Sequence, residues 1–334
     1  MRSWLPGKAR ALGTWLRSRV GFWRGHWRHG EVKAQRARLF SAPLLGASTR
    51  GTWSYSVYAP GGLRDDDPAP LIVLLHGCRQ NALGFAQASG WTRLADARGF
   101  RLLCPDQNRV ANIYRCWNWF HPWAQRGEGD VAVVLQMLDE TVARLRTIQT
   151  ARAVVGLSAG GGLAALLAFH HPSRFAGAVT VAAPPLLGQF SVQNPRNVLR
   201  SGLMLNPLGA LGANATACAP IAVIQGSNDD VVNPRCAEQL LAQALEANRR
   251  GAVEAAAVAA NAGATAAAIN ITDYRHDGAL RVRQINIAGL GHVWTGGPGG
   301  HPFCEAGGPP LAALALRFFD DVGVFAPASA AARA

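Results

Sequence analysis

Beyond residue 70, short unbroken apolar runs alternate with stretches whose apolar positions recur at helical spacing. The runs are residues 71–75, 101–104, 153–157, 176–181 and 221–225, each of a length that suits a strand buried on both faces. Residues 85–97, 131–145, 161–169, 234–249 and 310–322 carry the helical pattern. Residues 52–58 alternate instead, with Trp53, Tyr55 and Val57 on one face, and predict an outer strand before a turn-rich acidic loop at 60–70. Residues 269–274 and 281–287 bracket His276, Asp277 and Gly278, a hairpin signal. Strands and helices in alternation predict an α/β fold, with a mainly parallel central sheet and helices on both faces. Ligands of such sheets gather at the carboxyl ends of the strands, so the loops that follow the apolar runs are where chemistry is sought.

Two stretches break the pattern. Residues 184–219 lapse into Pro, Asn, Gly and isolated apolar residues, and read either as an inserted cap over the site or as a surface excursion. Residues 250–268 are rich in Ala, Val and Gly, and read either as a helix or as a loose insertion. The chain therefore divides into a basic, Trp-containing N-terminal arm at 1–50, one α/β domain at 51–325, and a tail at 326–334 expected to be disordered.

With 334 residues, 49% hydrophobic and 16% charged, the chain has the composition of a globular protein with a substantial core. Its formal net charge of +13 suggests a polyanionic partner until it is divided along the chain. Residues 1–50 hold eleven Lys or Arg against the single acid Glu31, a net of +10, which leaves +3 for the remainder. The arm also places Leu12, Trp15, Leu16, Val20 and Trp23 at roughly helical spacing beside Arg17, Arg19 and Arg24. That is the pattern of a basic amphipathic helix docking on a membrane, a polymer granule or an acidic partner, while the arm's glycines favour a poorly ordered extension. No recognised fold motif accompanies the charge, so nucleic acid is not an expected partner. Arginines and glycines interrupt every apolar run of the arm, and no segment reaches spanning length. Neither a signal peptide nor a transmembrane segment is therefore expected, and the sequence reads as cytoplasmic. The six cysteines include no CxxC pair, so no zinc site is expected.

Gly156, Leu157, Ser158, Ala159 and Gly160 form a GxSxG run where the apolar run 153–157 meets the helical pattern. In a chain with 37 glycines the pentapeptide alone is a weak signal, but a strand-to-helix junction is where a nucleophile elbow belongs. A serine hydroxyl needs a base. Asp229 follows the run 221–225, three residues past Gly226, with Asp230 as its rival, and His292 follows the run 281–287. The order Ser, Asp, His is that of α/β-hydrolases, with His292 as base and Asp229 orienting its ring. Oxyanion donors are expected from the backbone of Ala159 and of Cys78, the latter in the turn at 76–80 directly after the run 71–75. His76 is then structural, and no metal or organic cofactor is required.

Residues 74–81, 116–120, 156–161 and 291–297 together resemble the polyhydroxybutyrate depolymerase family of esterases, with which feruloyl and carbohydrate esterases share a layout. The resemblance runs from about residue 70 to about residue 319. It implies an α/β-hydrolase fold, Ser158 as nucleophile, His292 as base, and Asp229 rather than Asp230 as the acid. It brings Trp117, Trp119 and Trp294 to the rim of the site as a substrate platform, core packing being the competing role. It also allows a Cys78–Cys116 bridge that holds the second oxyanion amide. Related enzymes are often extracellular. The function implied is a serine carboxylesterase that acts through an acyl-enzyme on hydroxyalkanoate polyester or oligoester. The alternatives are a feruloyl or acetyl carbohydrate esterase and, from another class, a non-catalytic granule- or surface-binding protein that uses the arm.

Overall fold

The computed structural model describes residues 25–34, 51–188, 194–204, 208, 218–248, 253–259 and 268–325. Its framework is a ten-stranded sheet with the order β1-β2-β4-β3-β5-β6-β7-β10-β9-β8. The strands are β1 (His26–Ala34), β2 (Gly51–Ala59), β3 (Ala69–Leu75), β4 (Arg101–Pro105) and β5 (Thr147–Leu157), followed by β6 (Gly177–Val181), β7 (Ile221–Gly226), β8 (Val253–Ala259), β9 (Ile269–His276) and β10 (Ala279–Ile287). From β4 to β10 the neighbours are parallel, and the two wings, β1-β2 and β9-β8, run antiparallel. The central strands are buried on both sides, which is why they read as unbroken apolar runs.

Helices cover both faces. On one face, α4 (Asp130–Arg144), α5 (Ala159–His170) and α7 (Pro234–Ala247) bury Met137, Leu163 and Leu240 with Leu71, Val73 and Val154. On the other, α1 (Ala82–Ala88), α2 (Trp91–Arg98) and α8 (Leu311–Asp321) bury Phe85, Trp91 and Phe318 with Ile72, Leu74 and Val155. Two short helices, α3 (Pro122–Gln125) and α6 (Pro195–Ser201), lie in the long connections.

Three expectations change, and a fourth stretch gains a helix. The single helix read at 85–97 is two, because Gly90 takes φ 84°, a conformation that ends α1 and opens α2 in a new direction. The Ala-rich stretch is neither helix nor loose insertion where it is described: residues 253–259 form β8, paired along its length with β9. Alanine has no β preference of its own, so the exposed ladder of β9 decides the conformation. Residues 26–34, read as part of an arm, are a strand of the sheet, zipped antiparallel to β2 with Trp27 5.0 Å from the Tyr58 ring. The stretch 184–219 contributes α6, whose N-cap Asn194 accepts from the Arg196 amide.

The amphipathic pattern of residues 1–24 and the tail 326–334 lie outside the described residues, as do 189–193, 205–207 and 209–217 of the expected cap. Among the described residues no helix is long and apolar enough to cross a membrane.

The hairpin reads as expected: Asp277 and Gly278 have φ 50° and 75°, the two-residue turn that joins β9 to β10. Its base is tied down by Arg283. The guanidinium donates to both oxygens of Asp273, its cross-strand partner, at 2.6 and 2.7 Å, and to Asp321 of α8 at 2.7 Å. Burying the arginine with its partners matched fixes how the last helix meets the sheet.

Candidate active site

β5 ends at Leu157 and α5 starts at Ala159, so Ser158 is the whole connection. Its φ of 56° and ψ of −120° are strained for a residue with a side chain, and the surrounding backbone enforces them. The Ser158 amide donates to Val181 O at 2.8 Å, and Ser158 O accepts from the Gly162 amide at 2.9 Å. The neighbouring glycines are required by contact. A Cβ on Gly156 would stand 2.1 Å from Gly160 O, and one on Gly160 would stand 2.4 Å from Leu75 O and 2.5 Å from His76 O. The elbow thus presses against the carboxyl end of β3, bringing the 76–80 turn beside the serine.

Asp229 and His292 come together from the loops after β7 and β10. Asp229 Oδ2 accepts from His292 Nδ1 at 2.8 Å and from Gln225 Nε2 at 3.2 Å. Oδ1 accepts from the Val231 and Val232 amides at 3.0 and 2.7 Å. Four donors hold this buried carboxylate in one orientation, whereas Asp230 is exposed. The two loops are stitched directly: Asn228 N donates to Leu290 O at 3.0 Å, and Gly289 N to Ser227 Oγ at 2.8 Å. His292 lies edge-on to Phe303 at 5.7 Å, and Phe303 lines the cavity that Ser158 opens into. The Ser158 hydroxyl has no hydrogen-bond partner among the described residues, so the Ser–His link is open. Such links commonly tighten only with substrate bound.

Cys78 and Ala159 line the same cavity, and neither backbone N–H has an acceptor among the described residues. The turn that carries Cys78 is braced. Gln80 Oε1 accepts from the Gly77 amide at 2.6 Å, while its Nε2 donates to Pro302 O. A Cys78–Cys116 disulfide clamps the turn to the 106–120 loop. That loop is fixed in turn by Asp130, whose Oδ2 accepts from the Asn118 amide at 2.7 Å and from Gln107 Nε2 at 2.6 Å. Burial pushes the Asp130 carboxyl above the usual carboxylate range. Gln80, Gln107 and Asp130 were not singled out from the sequence. No local pattern marks them, because each acts on a segment distant along the chain. His76 is fully buried between Gly77 O, the Gln107 amide and the Asp106 carboxylate, a structural position.

Residues 53–270 match the family model described as Esterase PHB depolymerase. The chain belongs to that esterase family. It is 32% identical over 227 residues to poly(3-hydroxyalkanoate) depolymerase C of Paucimonas lemoignei, an alignment that covers 60% of this chain and 53% of the relative. The chain thus spans about half the length of that depolymerase. It is 30% identical over 201 residues to feruloyl esterase B of Thermothelomyces thermophilus, covering 56% of this chain and 67% of the relative. Among solved structures, an acetyl xylan esterase from Aspergillus awamori superposes with a TM-score of 0.63 at 16% identity, over 80% of this chain and 94% of that one. The fold is that of the α/β-hydrolases.

In this member of the PHB depolymerase esterase family the cavity measures about 560 Å³, a size suited to small organic ligands. Its apolar lining includes Tyr114, Trp119 and Phe120 from the disulfide loop and Phe303 from the segment after His292. Of the three tryptophans expected at the rim, only Trp119 lines it. Trp117 is fully buried with its indole N–H donating to His76 O at 3.1 Å, beneath the 76–80 turn. Trp294 is fully buried too, donating to Ser89 O at 3.2 Å with Phe85 edge-on at 5.3 Å. An indole whose one donor is satisfied by a backbone carbonyl fills a core at no polar cost, and both rings do so here. Tyr114 and Phe303 supply the exposed aromatic surface instead. No group of three or more metal-ligating side chains occurs among the described residues.

Proposed function

We propose that the chain is a serine carboxylesterase that hydrolyses hydroxyalkanoate polyester or oligoester through an acyl-enzyme. The observation that carries the reading is the His292–Asp229 hydrogen bond of 2.8 Å, set beside a cavity that contains a strained serine and two unpartnered amides. In this reading Ser158 Oγ attacks the ester carbonyl while His292 Nε2 takes its proton. Asp229 holds Nδ1 as the donor and stabilises the imidazolium. The tetrahedral oxyanion is received by the Cys78 and Ala159 amides. On collapse, His292 returns the proton to the leaving alcohol, and a water molecule repeats the sequence to release the acid.

Membership in the family and the depolymerase relative support the hydroxyalkanoate substrate. A feruloyl ester is the second reading, favoured by the 30% identity to a feruloyl esterase and by the aromatic lining of the cavity. The Cys78–Cys116 bridge supports work in an oxidising compartment, at odds with the cytoplasmic reading of the sequence. Residues 1–24 carry the basic, tryptophan-containing pattern that would serve contact with a granule or membrane surface.

The test is hydrolysis of short chromogenic esters, amorphous hydroxybutyrate polymer and a feruloylated sugar by the wild type and by Ser158→Ala. Turnover by the wild type and its loss in the variant is the expected result, and the preferred ester separates the two substrate readings. Folded wild-type protein inert on all three would overturn the enzyme reading. Loss of function only on removing residues 1–24, which leaves β1 in place, would favour a non-catalytic surface-binding role.

A further inference from the structure

Three arginines, Arg79, Arg196 and Arg200, line the cavity that Ser158 opens into, against a single lining carboxylate, Asp230. Elsewhere in the fold Arg28, Arg98, Arg115, Arg174 and Arg283 each lie within ion-pair distance of an aspartate. The three at the cavity have no carboxylate partner among the described residues. Nor can the rest of the expected cap supply one, since residues 184–219 contain no Asp or Glu.

Arg196 and Arg200 sit four residues apart on α6, where like charges repel, and only Arg200, in the last turn, is favoured by the helix dipole. Arg79 directly follows Cys78, and its guanidinium carbon lies 5.8 Å from the Tyr114 ring centroid. Stacking of this kind orients the plane and leaves its N–H groups available. A concave surface lined by unpaired guanidinium groups concentrates and orients anions, and the planar fork matches a carboxylate.

We propose that the arginines at the cavity mouth form a carboxylate subsite, so that the preferred substrate is an oligoester bearing a free terminal carboxylate. The proposal rests on the ester-hydrolase reading and names the substrate class within it. A hydroxyacid dimer is the smallest such molecule. Its hydrolysis consumes one water, breaks the acyl C–O bond, and yields two hydroxyacid anions and one proton.

The experiment compares the 3-hydroxybutyrate dimer with the same dimer whose terminal carboxylate is converted to a primary amide. For the wild type, kcat/KM is expected to favour the acid by about tenfold or more, the advantage shrinking as salt screens the charges. In Arg196→Gln/Arg200→Gln the ratio should fall several-fold, and Arg196→Lys/Arg200→Lys should retain more of it. An unchanged ratio in the folded glutamine variant, checked by its melting midpoint, overturns the subsite.

If neither dimer is hydrolysed, turnover of the short chromogenic esters decides the ester-hydrolase reading, and binding decides the subsite by itself. The dissociation constant of the acid dimer for Ser158→Ala, followed by tryptophan fluorescence, should rise about tenfold when both arginines on α6 become glutamine. Equal constants overturn the proposal.

Discussion

His292 Nδ1 donates to Asp229 Oδ2 at 2.8 Å across 63 residues of chain, and the adjacent Asp230 takes no part in that bond. Replacing Asp229 with Asn removes the acceptor that selects the imidazole tautomer, a change that costs about 10⁴ in kcat where it has been isolated. Asp229→Asn should therefore lower kcat at least about a hundredfold more than Asp230→Asn. Initial rates on a soluble ester check this, and comparable losses in the two variants would reassign the acid.

The Cys78–Cys116 bridge closes a span of 38 residues and holds one candidate oxyanion donor. Chain-entropy arguments give such a loop about 4 kcal/mol, realised in part. Cys78→Ser/Cys116→Ser should lower the unfolding free energy by about 2–4 kcal/mol and kcat by about tenfold to a hundredfold. Denaturant titration and kinetics below the variant's melting midpoint measure both effects. Wild-type kcat in the folded variant would show that the Cys78 amide needs no such clamp.

Gly160 faces the carbonyl oxygens of Leu75 and His76. In Gly160→Ala the new methyl would meet backbone rather than a movable side chain, so the end of β3 must shift. The expected cost is about 1–3 kcal/mol of stability, together with a fall in kcat because the 76–80 turn moves with the strand. An unaltered melting midpoint would mean that the elbow is looser than its contacts imply.

Burial, reinforced by Arg126, pushes His121 down to about 4. Burial likewise holds His170, His171 and His301 below the usual histidine range. The unfolded chain takes up these protons near 6.5, before the folded protein does, so it binds more protons in the window below. Stability is therefore full above about pH 6.5 and falls as pH drops toward 4. His121 also caps α3, accepting from the Trp123 amide at 3.2 Å. His121→Asn keeps a capping acceptor but cannot titrate, so midpoint denaturant concentration should fall less steeply with acid in this variant. Parallel slopes in the two proteins would remove His121 from the account.

Much of the framework was legible because it is local. A strand buried on both faces must be an unbroken apolar run, and β3, β4, β5, β6 and β7 were each found that way. The wings were harder to read. β1 and β8 carry no strong pattern of their own and become strands only because β2 and β9 offer them free ladders. Trp117 and Trp294 failed as rim residues for the same kind of reason: the carbonyl that receives the Trp294 indole lies 205 residues away.

The sequence by itself determined the α/β class, the serine at a strand-to-helix junction, and the order in which an acid and a histidine follow it. These depend on periodicity and on where strands end. Tertiary structure alone decided which aromatics line the cavity, and that three of its arginines go unmatched. Each of those outcomes is a contact between segments far apart in the chain, where the partner, not the residue type, sets the role.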